Sequence, residues 1–105
     1  MTVSNQFGNK LRELREQQNL LLRQVAPLLD VDTPMLSKIE RGERQAKKEL
    51  VMRLAPILKA KADELLTLWL ADQIAALAAD EEVGLQAMQV AEAEVKYQKT
   101  KKKKK

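Results

Sequence analysis

The stretch Leu20–Gly42, LLLRQVAPLLDVDTPMLSKIERG, ends in Lys38-Ile39-Glu40-Arg41-Gly42, and Arg44, Lys47 and Lys48 follow closely. Cations grouped in this way hold anions through charge-assisted hydrogen bonds; they do not make or break covalent bonds. The chain contains no cysteine and no histidine. That removes thiolate nucleophiles, imidazole acid–base catalysis, disulfides and nearly every transition-metal site. Its carboxylates are accompanied by no glycine-rich phosphate loop. The expectation is a binding protein and not an enzyme, with no cofactor and no metal.

The 105 residues have room for one compact domain and an extension. Hydrophobic residues make up 45% of the chain and aromatics only 3%, so the core must be aliphatic. Long Leu, Ala, Glu, Lys and Gln runs with three glycines and three prolines point to an all-α fold. Charge is segregated along the chain. Residues 1–61 carry a net charge of +5, residues 62–95 hold eight acids and no Lys or Arg, and residues 96–105 hold seven Lys and no acid. The basic front is the part suited to face phosphate. No apolar run approaches the roughly 20 residues of a membrane span, and the start of the chain lacks an apolar leader core, so a soluble cytoplasmic protein is expected.

The elements that must position these cations follow from apolar spacing. Phe7, Leu11 and Leu14 give a surface helix with one buried stripe, capped by Ser4 or Asn5 and stopped at Asn19. Leu22–Leu29 follows, burying Val25, Ala26 and Leu29, with Pro27 forcing it to be short or bent. Asp30-Val31-Asp32 makes the turn into Thr33–Arg41, which Asp32 or Thr33 caps and Gly42 ends. Lys47–Leu58 and a helix from Ala62 to about Ala79 come next. Pro56 either kinks or ends the former. Ala26 stands where two helix axes approach most closely, and Leu29, Val31, Leu36 and Ile39 form the wedge that fixes their angle. Helix, tight turn and second helix in this order can project a helix end into a DNA major groove. Phosphate contacts then fall to Arg41, Arg44, Lys47 and Lys48.

On these residues the chain resembles the Cro/C1-type (XRE) helix-turn-helix family. The matching stretches are Phe7–Arg15, Leu20–Ala26, Val31–Gly42 and Leu50–Leu58, within residues 5–70. The resemblance implies a five-helix, lambda-repressor-like domain over residues 5–79, binding double-stranded DNA as a homodimer on an inverted repeat. It implies that Thr33–Arg41 is the recognition helix, with Thr33, Pro34, Ser37 and Lys38 reading bases. It also implies a buried structural ion pair between Arg15 and Glu40. Where the family often has Thr or Ser and then Gln at the start of the second helix, this chain has Leu21 and Leu22. Arg23 or Gln24 would supply the missing phosphate clamp.

Residues 62–79 are apolar over more than one face, so a second contact is implied. Two readings stand for it: a last core helix around Trp69, or a dimer seam of Leu66, Trp69, Leu70, Ile74 and Leu77 continued by Leu85 and Met88. Residues 80–97 form a C-terminal helix, and residues 98–105 a disordered lysine tail. The functional expectation is a sequence-specific transcriptional regulator, a repressor or autoregulator. The alternatives are an antitoxin, with a protein partner on the C-terminal helices, a restriction–modification controller, or an interaction module without groove contacts.

Overall fold

Apolar residues recurring three and four apart have coiled each run into a helix, and the computed structural model describes residues 5–103. The described residues form α1 (Gln6–Gln17), α2 (Leu22–Val25) continued by a 3-10 turn (Ala26–Leu29), α3 (Thr33–Glu40), α4 (Lys48–Ile57), α5 (Ala62–Ala79) and α6 (Gly84–Lys103). The fold is all-α, with five helices and a helical extension.

Pro27 explains the break after α2. It has no N–H for the carbonyl four residues back, and its ring presses on that carbonyl, so the chain tightens into the 3-10 turn. Pro56 sits in the last turn of α4, which ends one residue later. α1, the 3-10 turn, α3 and α4 stop by a common device. Asn19, Asp30, Gly42 and Lys59 all take positive φ. In α1, the amides of Asn19 and Leu20 bond back to the carbonyls of Glu16 and Arg15; in α3, those of Gly42 and Glu43 bond to Ile39 and Lys38. These paired bonds satisfy the last carbonyls and turn the chain sharply. Only one of the four positions is glycine, so Asp30 and Lys59 carry a backbone cost that the tertiary packing offsets.

The core is aliphatic apart from one phenylalanine. Phe7 and Leu11 of α1 meet Val25, Ala26, Leu29, Leu36 and Ile39, and Val51, Leu54, Leu58 and Leu65 close it from the other side. Replacing one of the fully buried leucines by alanine would cost about 2–5 kcal/mol.

Two compact units divide the chain, the first running to Gln73 and the second starting at Ile74. The division between them falls inside α5. Burial falls off along that helix: Leu65 is its only fully buried residue, and Ile74 and Leu77 are exposed.

In the second unit, α6 continues to Lys103, so residues 98–103 are helical where disorder was expected. Contacts one turn apart support the helix: Lys96 to Glu92 at 3.5 Å, Gln98 to Glu94 at 2.8 Å, and the Lys101 ammonium 6.0 Å from the Tyr97 ring. Cations near a helix C-terminus also suit its dipole. Lys104 and Lys105 lie outside the described residues.

Candidate nucleic-acid interface

Everything at this site depends on how α3 is held. Asp32 precedes it in extended conformation, and its Oδ1 accepts from the Met35 amide at 2.8 Å, a true N-cap. Pro34 occupies the first turn, where it lacks only a donor that has no intrahelical partner. One face of α3 buries Leu36, Ile39 and Glu40. The opposite side leaves Pro34 and Lys38 exposed and Thr33 and Ser37 half-exposed. The four expected base-reading residues thus share one accessible side of α3, Thr33 and Pro34 in its first turn and Ser37 and Lys38 one turn on.

The far end of α3 is fastened to α1 twice. Arg15 grips the Glu40 carboxylate with both arms, Nε to Oε2 at 2.7 Å and Nη2 to Oε1 at 3.1 Å, and its Nη1 donates to the Leu20 carbonyl at 2.8 Å. The Glu40 hydrogen bond raises the Arg15 pKa; desolvation opposes this and the Glu40 and Glu16 charges add to it. Asn5, with Ser4 one of the two residues expected to cap α1, stands at its N-cap position but sends its side-chain amide to the Glu40 carbonyl at 2.9 Å. Gly8 allows that approach, since a Cβ there would overlap the Glu40 carbonyl oxygen.

The phosphate candidates are all exposed, but they differ in freedom. Arg41 lies 3.5 Å from Glu43, whereas Arg44, Lys47 and Lys48 stand in the connection and at the start of α4. At the start of α2, the Leu21 amide donates to Gln24 Oε1 at 2.7 Å. Leucine has no acceptor to return that bond, so only half of a capping box exists. The bond fixes the Gln24 carboxamide and leaves its NH₂ to donate outward, beside exposed Arg23.

Short helices around a buried wedge, with a capped third helix presenting its outer side, form a helix-turn-helix. The family model described as a helix-turn-helix domain matches residues 6–68. The chain belongs to this family. Its helix-turn-helix is α2 with the 3-10 turn, followed by α3, which agrees with the Cro/C1-type resemblance. An uncharacterized HTH-type transcriptional regulator, RghRB of Bacillus subtilis (strain 168), is 36% identical over 61 residues, covering 57% of this chain and 44% of the relative. The chain therefore matches less than half the length of that relative. The crystal structure of the clp gene regulator ClgR from Corynebacterium glutamicum superposes with a TM-score of 0.58 at 25% identity, covering 90% of each chain.

Within the helix-turn-helix domain, two of the seven expected seam residues are partly buried. Leu66 and Trp69 pack against the domain's own core, and the Trp69 indole Nε1 donates to the Ala46 carbonyl at 2.7 Å. An indole N–H buried in this way must find an acceptor, and that bond draws Trp69 inward. Leu70, Ile74, Leu77, Leu85 and Met88 remain exposed.

Sequence reasoning missed three further residues. Asp72 of α5 receives the Gln6 and Phe7 amides at 3.1 and 2.9 Å, so α1 is capped from 65 and 66 residues away. Arg53 of α4 donates to the Leu28 and Leu29 carbonyls at the end of the 3-10 turn. Gly8 was the third. A glycine in the first turn of an otherwise regular helix was the one local signal available for any of them.

No helix among the described residues is long and apolar enough to cross a membrane. Among the same residues no group of three or more acids is placed to hold a metal ion.

Proposed function

We propose that this protein is a sequence-specific DNA-binding transcriptional regulator, acting as a dimeric repressor or autoregulator that inserts α3 into the major groove. The observation that carries this reading is the presentation of Thr33, Pro34, Ser37 and Lys38 on the accessible side of a helix whose other side is locked to α1 through Glu40. Lys38 donates to guanine O6 or N7, Thr33 and Ser37 bond base edges or phosphate, and Pro34 offers apolar contact to a thymine methyl. Arg44, Lys47 and Lys48, with Arg23, Gln24 and Arg41, fix the register on the backbone. The role is binding, inside the cell where DNA is met, and needs no cofactor or catalytic step.

Dimerisation belongs to Leu70, Ile74, Leu77, Leu85 and Met88, whose exposure in a single chain supports a partner on that face. The same exposure supports the second reading, an antitoxin or controller protein that covers this face with a different protein.

Selection of bound sequences from a random duplex pool tests the proposal. An inverted repeat with half-sites about one helical turn apart should be enriched. Absence of any enrichment at low salt sinks it.

A further inference from the structure

Behind the recognition helix, between α3 and α4, lies a half-open groove of about 300 Å³. Met35 and Leu50 form part of its apolar floor, and both are only half-buried. Arg44, Lys47 and Arg53 stand around it, opposed by the single acid Glu49. An apolar floor inside a cationic rim is built for an apolar side chain carried among acids. The volume is at the small end for a ligand pocket and suits one or two side chains better than a large molecule.

The chain itself carries a segment of that chemistry. The turn joining α5 to α6 reads Asp80-Glu81-Glu82-Val83, with every residue exposed and Val83 at 58%. It lies inside residues 62–95, which hold no cation at all. Three acids beside one uncovered valine complement Arg44 and Lys47 at the rim of an uncovered apolar floor.

We infer that the groove between α3 and α4 receives the Asp80–Val83 turn of a second copy of this chain, with Val83 on Met35 and Leu50 and the acids facing Arg44 and Lys47. Arg53 is already engaged by the carbonyls of the 3-10 turn and by Asp30 at 3.5 Å, so the charge that meets the turn is that of Arg44 and Lys47. Arg44 and Lys47 are two of the cations assigned above to phosphate, so a docked turn and a bound duplex exclude one another. The protein would thereby hold back its own DNA-binding face when it is concentrated and unbound. The competition with DNA rests on the proposed function; the association of copies does not.

Sedimentation velocity on the full chain without DNA separates the two. A concentration-dependent association that weakens with salt is expected, distinct from any salt-insensitive seam dimer. Val83→Ser, an exposed change that leaves the fold intact, should weaken the salt-sensitive step about tenfold. Lys47→Glu should weaken it by about threefold or more, and adding Glu81→Lys to Lys47→Glu should restore it. Absence of a salt-sensitive step, indifference to Val83→Ser, or failure of the charge exchange to restore association each overturns the assignment. Adding a duplex that the protein binds should dissolve the association; if the duplex binds and the association persists, the competition is refuted. A protein that binds no duplex yet passes the first three tests would refute the proposed function and leave the docking contact standing.

Discussion

Arg15 and Glu40, 25 residues apart, meet in a two-armed ion pair of 2.7 and 3.1 Å that fastens the C-terminal end of α3 to α1. Their side chains keep only 12% and 7% of their exposure. The pair reads no base; it sets the angle at which Thr33, Pro34, Ser37 and Lys38 are offered.

Removing one partner should be worse than removing both. Arg15→Ala leaves the Glu40 carboxylate buried without its fork and should cost about 3 kcal/mol in urea unfolding. Arg15→Met with Glu40→Leu should recover much of that loss. Because the Arg15 pKa is raised, its stabilisation is complete below the ordinary arginine value and fades only as pH climbs past it. The cost of Arg15→Ala, followed by unfolding at several pH values, should therefore show no contribution from arginine titration between about pH 5 and 9.

Gly8→Ala should destabilise the protein. In an exposed helix interior the same exchange gains about 1 kcal/mol from propensity. Here the new methyl meets the Glu40 carbonyl, which Asn5 also holds, and neither helix can retreat without opening the other contact. A net loss of about 1–3 kcal/mol, read as a lower Tm, is expected.

Asp72→Ala should unfasten the start of α1. Two backbone amides lose their acceptor, and a loss of about 1–2 kcal/mol follows. Hydrogen exchange at Gln6 and Phe7 should rise more than at Leu36 or Leu54, because the effect begins locally.

Lys38→Ala and Arg44→Ala should fail differently on DNA. Loss of Lys38 should relax the preference at one position of each half-site by about 1–3 kcal/mol. Loss of Arg44 should weaken all duplexes alike and reduce the salt slope by about one for each copy bound. A uniform loss from Lys38→Ala refutes its reading role.

Local chemistry was enough to determine the helices of this protein. The spacing of Phe7, Leu11 and Leu14, the wedge from Val25 to Ile39, the break at Pro27 and the stops at Asn19 and Gly42 are all short-range, and all are found in the structure. The pairing of Arg15 with Glu40 was legible only through family resemblance. The tertiary structure alone decided what crosses between helices: Asn5 to Glu40, Asp72 to the start of α1, Arg53 to the 3-10 turn and Trp69 to Ala46. Each joins residues at least 23 positions apart. Propensity and periodicity extend over a turn or two of helix and carry no information about which distant carbonyl or amide a side chain will meet. For the same reason the sequence left Trp69 between core and seam and could not show that its N–H had an acceptor inside its own domain. It also ran the lysine tail out as coil, where contacts one turn apart with Glu92, Glu94 and Tyr97 extend the helix to Lys103.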